Sequence, residues 1–266
     1  MIKRMLRKSV TTAVLAVIVG LVVTTGCSSK EPPVETAAEA STESSGNDVA
    51  ATAEEEPISK EDLKAFSENA EPYDGEIQVV LHTSSGEETV LYSPENNKEA
   101  MAALAAIAGK KQSWIKVKSA RATSTLKISG YNYSVWNMLD WDPKTCWAEG
   151  EPRSEGLWEG FSYYFSGKTR IDGFRIYPGY QKSKKVYRNN IYPAALEISV
   201  GGYNIECGLD NWIQNINRDG DSYWIDITFS KPIYDKQLSA TIIAVGTYGN
   251  DPDSDCCISE FHPFHY

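Results

Sequence analysis

Three oxygen-bearing side chains lie within six positions of one proline-containing loop: Asp140, Asp142 and Thr145. Their closeness in sequence allows the carboxylate and hydroxyl oxygens to converge. Calcium binds roughly six to eight such oxygens in flexible loops. The loop therefore predicts a structural calcium site. The same residues also suit a hydrogen-bonded turn, in which the two aspartates cap backbone N–H groups.

Tryptophan recurs in the same stretch, at Trp141, Trp147 and Trp158. Trp141 and Trp158 stand among polar residues, so we predict that both are exposed. An exposed indole suits the apolar face of a sugar ring, while neighbouring carboxylates and amides bind the sugar hydroxyls. The alternative is that the two indoles only cover the end of the domain or a subunit contact.

A second loop, residues 178–190, is long for a connection between two strands, and long ordered loops on a rigid scaffold often carry function. Its aromatic and donor side chains, with two glutamates of the tryptophan-rich stretch, predict one ligand-binding patch: Tyr180, Lys182, Tyr187, Arg188, Asn190, Glu149 and Glu159. In the structural alternative the two tyrosines pack against the strands and Lys182 pairs with one of the glutamates.

Catalytic motifs are not found in the sequence, which has no G-x-S-x-G, Walker or zincin pattern. His262 and His265 are spaced as metal ligands but have no third ligand pattern beside them. The clustered carboxylates at 149–159 are too close in sequence to flank a sugar unless the loop folds back. We therefore predict a non-catalytic protein, with a wall-glycan hydrolase as a further alternative.

The first 26 residues have the form of an export signal. Four basic residues precede the apolar run from Ala13 to Val23, which is short for a membrane span. The following Gly26 and Cys27 resemble the end of a bacterial lipoprotein lipobox, although Thr24 departs from its usual aliphatic residue. This resemblance implies lipidation of Cys27 and anchoring to the outer face of the bacterial cell membrane. An uncleaved anchor and an ordinary secretory signal are the alternatives.

Residues 27–57 are rich in Ser, Thr, Ala and Glu and contain no aromatic residue. Such a segment cannot bury enough apolar surface to fold, so it predicts a disordered acidic tether. The net charge of −10 sits largely here and just after it, and no basic block indicates nucleic acid as a partner.

Residues 58–112 predict a small α/β lead-in. Helical spacing covers 58–70 with Ser59 as cap, two strands flank a turn at 84–86, and an Ala-rich helix ends near Gly109.

From Trp114 onward the sequence pattern changes to short runs of β-branched and aromatic residues separated by turn residues. This pattern predicts a mainly β sandwich or barrel over residues 113–266. Four cysteines in an exported setting allow three pairings: Cys146, Cys207, Cys256 and Cys257. Adjacent cysteines rarely bridge each other, so we expect a cross-link from the 256–257 pair to Cys146 or Cys207.

The order of several separated motifs resembles a known bacterial module. They are N-x-x-D-x-D-x-x-T-x-W-x-E-G from 137, G-Y-x-K from 179, Y-x-x-N from 187 and I-S-E from 258. The module is the discoidin-like, NADase-type glycan-binding domain found beside NAD glycohydrolase toxins, within the galactose-binding-like, coagulation-factor C-type jelly rolls.

The resemblance implies a jelly-roll β-sandwich in which Trp147 is a core anchor and Glu260 completes the calcium site. The family commonly has glycine where this chain has Trp141, so a bulky residue there is expected to distort the loop. The implied function is recognition of a glycan or another cell-envelope component. A protein-interaction module is the alternative from another class.

Overall fold

The computed structural model describes residues 56–86, 88–151, 155–209, 222–247 and 255–266. The predicted signal peptide 1–26, the predicted lipidation site Cys27 and nearly all of the predicted tether lie outside the described residues. Within the described part of the chain, no helix is long and apolar enough to cross a membrane.

In chain order the elements are α1 (Lys60–Glu68), β1 (Glu71–Pro72), β2 (Ile77–Thr83), β3 (Glu88–Tyr92), α2 (Lys98–Ile107), β4 (Ser113–Trp114), β5 (Ser119–Ala122), a 3-10 helix (Val135–Leu139), β6 (Trp147–Ala148), β7 (Gly160–Pro178), α3 (Lys184–Arg188), β8 (Tyr192–Val200), β9 (Tyr203–Gly208), β10 (Tyr223–Gly246) and β11 (Cys257–His265).

The long strands β7 and β10 organise the sheets. They pair antiparallel with each other, with register shifts between Thr228 and Ile233 and again between Asp235 and Gln237. The first part of β10 also pairs with β2 and its second part with β8, while β7 pairs first with β5 and later with β11. Strands that bend at such irregularities pass from one layer of a sandwich to the other. The predicted mainly β sandwich is therefore confirmed.

Aromatic side chains fill the space between the layers. Phe174 of β7 stacks on Phe261 of β11 with ring centroids 4.7 Å apart, and Phe161 meets Phe261 edge to face at 5.0 Å. Trp147 is fully buried, and its Nε1–H donates to the Ser124 carbonyl at 3.0 Å. The prediction that Trp147 is a core anchor is confirmed.

The lead-in is built into this sandwich. The predicted helix is α1, capped by the Ser59 hydroxyl, which accepts from the Asp62 N–H. The predicted turn at 84–86 joins β2 to β3, and β2 extends the sheet by pairing with β10. Leu63 of α1 is buried, and the Ile58 N–H donates to the Ala122 carbonyl at 3.1 Å. Residues 58–112 therefore share one compact unit with the strands that follow.

Strand β11 is buried on both faces, from Cys257 to Phe264. Phe261 points into the core, whereas Glu260 and His262 lie on the opposite face. That face is covered by residues 140–146, which we call the tryptophan loop. Trp141 of this loop stacks on His262, and its N–H donates to Glu260, so the loop encloses both polar side chains.

Candidate functional site

The tryptophan loop is a hydrogen-bonded turn. Asp140 Oδ1 accepts the Asp142 N–H at 2.8 Å, and Asp142 Oδ1 accepts the Lys144 N–H at 3.0 Å. The Thr145 hydroxyl donates to Asp140 Oδ2 at 2.8 Å. These bonds are those of the turn that the sequence offered as the alternative to a calcium site.

Trp141 occupies a backbone conformation that favours glycine, with φ of 64°. A side chain in this left-handed region costs roughly 1 kcal/mol. The loop nevertheless keeps its hydrogen bonds, so the expected distortion by a bulky residue is absent. The glycine common in similar domains is explained by this φ, and here the indole is accommodated by the surface that it covers.

Glu260 reaches from β11 into the tryptophan loop. Its Oε2 accepts the Trp141 N–H at 3.4 Å and lies 2.7 Å from His262 Nε2. Its Oε1 is buried and has no hydrogen-bond partner among the described residues. Burial and the neighbouring carboxyl of Asp140 raise the pKa of Glu260 to about 9. An orphaned oxygen beside a second carboxylate suits either a shared proton or a bound cation.

The four residues predicted to bind calcium lie close together, but their oxygens do not converge on one point. Glu260 lies against Asp140, whereas the carboxylate of Asp142 and the hydroxyl of Thr145 are engaged within the turn. No group of three or more His, Cys, Asp or Glu side chains within the described ranges is arranged to hold a metal ion. Carboxylate and hydroxyl oxygens are the type of ligand that calcium prefers. For all four predicted residues to bind one ion, however, the turn would have to open.

Two exposed indoles lie above this buried carboxyl. Trp141 stacks on the His262 imidazole with centroids 3.5 Å apart and planes within 5°. Trp114 of β4 meets Trp141 edge to face at 4.7 Å. Their exposed fractions are 40% for Trp114 and 46% for Trp141. Burial, with the positive charge of Arg175 nearby, lowers the pKa of His262 to about 3, so the ring under Trp141 is neutral.

A buried ion pair continues the same surface. Arg175 of β7 binds Asp226 of β10 through two hydrogen bonds of 2.7 and 2.8 Å. The guanidinium lies between the rings of Trp114 and Trp224, 4.9 Å from each ring centroid. Burial opposes ionisation of Asp226, but hydrogen bonds from Arg175 and His82 outweigh it and lower the pKa of that carboxyl.

Strand register explains this grouping. Arg175 stands opposite Asp226 on one side and His262 on the other, so three strands place one charged or polar residue each in a single row. We call the surface formed by this row and its three indoles the tryptophan face; it comprises Trp114, Trp141, Trp224, Arg175, Asp226 and His262.

Of the residues on this face, only Trp141 was predicted from the sequence to contact a ligand. One sequence signal could have pointed to the other residues of this face. Side chains alternate along a strand, which puts Trp224 and Asp226 on one side of β10. That alternation does not reveal which strands are neighbours. The partnership with Arg175 and Trp114 therefore follows only from the tertiary fold.

The other predicted residues of the tryptophan-rich stretch lie elsewhere. Trp158 is 60% exposed with φ of 63°, and its N–H donates to the Ile242 carbonyl of β10 at 2.8 Å. Glu159 is fully buried, where it forms an ion pair with Lys60 and accepts hydrogen bonds from Thr123 and Ser124. Glu149 is also buried. The two glutamates are therefore enclosed and do not form a surface patch.

The loop at 178–190 is also largely structural. Tyr187 is buried, and its hydroxyl hydrogen-bonds that of Tyr223 at 2.6 Å. The Asn190 amide donates to the Val186 carbonyl at 2.7 Å. Tyr180 is half-buried against Tyr133, and burial together with neighbouring thiols raises its pKa to about 12.

Only two side chains of the ligand-binding prediction for this loop are exposed, Lys182 and Arg188. Ligand contact by these two stays a prediction. The tyrosines pack as in the structural alternative, because the hydroxyl of Tyr187 finds its partner within the core.

A groove of about 620 Å³ lies between β5 and the segment that follows it. Tyr131 and Tyr133 line it and stack on each other with centroids 6.2 Å apart. This groove was not predicted from the sequence. It presents the exposed ring of Tyr131 and the half-buried ring of Tyr133, and it shares no lining residue with the tryptophan face.

Comparison with known proteins identifies one family. The model of the NAD glycohydrolase translocation F5/8 type C domain matches residues 111–263, more than half of the chain. No curated protein matches the chain.

Among solved structures, the chain is similar to a Clostridium perfringens ZmpB structure that holds two CBM32 domains and an M60 catalytic domain. The TM-score is 0.41 and the identity 16%, over 71% of this chain and 17% of that one. It is also similar to the family 32 carbohydrate-binding module of C. perfringens NanJ in complex with galactose, with a TM-score of 0.38 and 18% identity over 58% of this chain and all of that one. For the family 32 module of Streptococcus pneumoniae EndoD the values are 0.39 and 13%, over 58% and 100%.

Proposed function

Because the chain belongs to the NAD glycohydrolase translocation F5/8 type C domain family, we propose that it is a non-catalytic surface lipoprotein that binds a glycan or another component of the cell envelope. In this proposal Cys27 carries the lipid, residues 27–57 form the tether, and the sandwich is the binding module. Many tethered copies on one surface would turn weak single-site affinity into useful avidity.

The observation that carries the proposal is the pair of exposed indoles on the tryptophan face. Trp114 and Trp141 expose 40% and 46% of their surface, beside the polar groups of Arg175 and Gln112. Sugar recognition needs this combination, because aromatic rings pack on the apolar face of a pyranose while charged and amide groups bind its hydroxyls. A rigid sheet beneath the indoles limits the entropy lost on binding.

We expect Trp141→Gly to weaken binding to a glycan array about tenfold or more, since losing an aromatic anchor costs at least about 1.4 kcal/mol. The glycine relieves the positive φ of 64° at this position, so the melting temperature should stay the same or rise. The measurement uses the full chain, with and without calcium. Tyr234→Ala removes an aromatic side chain of similar exposure, 48%, and serves as the control that keeps binding.

Two results on the array would redirect the proposal. Binding that survives Trp141→Gly but is lost in Trp158→Ala or Tyr131→Ala would move the site away from the tryptophan face. A folded protein that binds no glycan would favour the protein-partner alternative, which a pull-down from cell surfaces would then test.

The hydrolase alternative has little support from the geometry. Glycosidases use two carboxyl groups that face each other across a cleft, roughly 5 to 10 Å apart. Of the clustered glutamates, Glu149 and Glu159 are enclosed, and Glu159 is already paired with Lys60. The exposed Glu151 and Glu155 remain as surface groups.

Calcium is the ligand that we propose for the tryptophan loop. The support is the buried, unpartnered Oε1 of Glu260 beside the carboxyl of Asp140. Asp142 and Thr145 would complete the site after their turn opens. The ion would supply positive charge between carboxylates that otherwise must share a proton, and it would hold the loop on β11.

We expect calcium at a hundredfold excess over its Kd to raise the melting temperature by about 5 to 10 °C, and a chelator to reverse the change. In Glu260→Gln the calcium effect should disappear. The chelated protein should melt near the wild-type value, because the amide mimics a protonated acid. A wild-type melting temperature that is the same in calcium and in chelator would show that a proton, not a cation, joins the two carboxyl groups.

A further inference from the structure

Two of the buried cysteines point to the same side of the sheet formed by β6 and β11. Cys257 stands opposite Ala148 in the register of these strands, and Cys146 precedes β6 by one residue. Because side chains two apart share a face of a strand, Cys146, Ala148 and Cys257 lie together. They form one buried apolar cluster, covered by Leu126, Tyr133 and Tyr180.

The two thiols interact directly. A hydrogen bond between them, with burial, raises the pKa of Cys257 well above its ordinary value. The Cys257 Sγ also faces Asn190 Oδ1 at 3.9 Å and the Asp255 carbonyl at 3.5 Å. Asn190, expected from the sequence to touch a ligand, thus lies beside this thiol pair.

The other two cysteines belong to the main core cluster. Cys256 directly precedes β11 and belongs to the main core, where its Cβ packs under Gly156, and its thiol interacts electrostatically with that of Cys146. Cys207 lies on β9 opposite Leu196, in the other layer of the sandwich. Among the described cysteines, only Cys146 and Cys257 belong to the small buried cluster with Ala148.

We propose that Cys146 and Cys257 form a disulfide that clamps the tryptophan loop onto β11. Cys146 directly follows Thr145 at the end of that loop, and Cys257 begins the strand that carries Glu260 and His262 beneath Trp141. The bond ties positions about 110 residues apart in the chain. It therefore fixes the exposed indole relative to the strand on which it stacks.

The reaction forms one S–S bond and breaks two S–H bonds. The two thiols release two protons and two electrons, and a disulfide of the glutathione class accepts them to give two thiols. Because the thiolate is the reactive form and burial disfavours it, the folded dithiol reacts slowly. The bond forms during folding, when both sulfurs are still accessible.

The test refolds the full chain in a mixture of oxidised and reduced glutathione and maps its peptides by mass spectrometry. We expect a linked peptide pair that contains Cys146 and Cys257, with two hydrogens fewer. The oxidised protein should melt roughly 5 to 15 °C above the reduced protein. Limited proteolysis should cut residues 140–146 more slowly in the oxidised form.

Matched serine variants identify the pair within one assay. Cys146→Ser should abolish the difference in melting temperature between the two redox states, whereas Cys207→Ser and Cys256→Ser should keep it. Linked peptides through Cys207 or Cys256, or five free thiols in the full chain after oxidative refolding, would overturn the proposal. A disulfide that leaves cleavage of the loop unchanged would overturn the clamp. Neither readout involves a glycan, so the result is independent of the proposed function.

Discussion

Replacement of Glu159 by alanine is expected to lower the free energy of unfolding by about 3 kcal/mol, or the melting temperature by about 6 to 12 °C. The carboxylate is fully buried and accepts hydrogen bonds from Thr123 at 2.5 Å and Ser124 at 2.6 Å. It also pairs with Lys60 at the start of α1. The variant removes the acceptor that the half-buried hydroxyls of Thr123 and Ser124 share, and it breaks the ion pair that joins α1 to the sandwich. Thermal unfolding followed by circular dichroism measures the loss.

Glu155→Ala is the matched control, because Glu155 is an exposed glutamate of the same stretch. Its change should stay within about 0.5 kcal/mol. If Glu159→Ala melted like this control but no longer bound glycan, Glu159 would be a ligand contact, as the sequence analysis expected. A large loss of stability would instead establish its structural role.

Replacement of Asp226 by alanine is expected to cost about 3 to 5 kcal/mol of stability. Asp226 is buried and neutralises Arg175, whose guanidinium lies between Trp114 and Trp224. Without the carboxylate, a positive charge remains enclosed between two aromatic rings. Denaturant unfolding gives the free energy directly. Glu206→Ala, which removes an exposed acid from a strand, should change it by no more than about 0.5 kcal/mol.

The ion pair between Arg175 and Asp226 should stabilise the protein at neutral pH and lose this effect in acid. The folded pKa of Asp226 is lowered from its ordinary value of 3.8. The stabilisation is therefore fully present above that ordinary value and is lost as the pH falls through the folded pKa. The difference in unfolding free energy between wild type and Asp226→Asn should shrink as the pH is lowered from about 5 to about 2. A difference that grows in acid would contradict the ion pair.

The local elements were predictable because their signals are local. The cap at Ser59, the turn at 84–86 and the alternation along the strands reflect interactions between residues a few positions apart. Burial of Trp147 followed from the family motif around it. These features required no knowledge of which strands are neighbours.

The burial of the polar side chains was predicted less well. Residue type alone did not separate Glu159, which is paired inside the fold, from the exposed Glu155. Tyr187 lies in a polar loop and was therefore expected to face a ligand. Its hydroxyl instead forms a buried hydrogen bond with that of Tyr223, which lies 36 positions away. A polar side chain is exposed or enclosed according to distant partners, and short sequence windows do not contain them.

The sequence by itself determined the mainly β class, the family motifs, the core position of Trp147 and the exposure of Trp141 and Trp158. Only the tertiary structure decided that Trp114, Arg175 and Asp226 join Trp141 on one surface, and that Cys257 meets Cys146. The reason is physical: alternation assigns each side chain to a face of its strand, but the register between strands far apart in the chain decides which side chains meet.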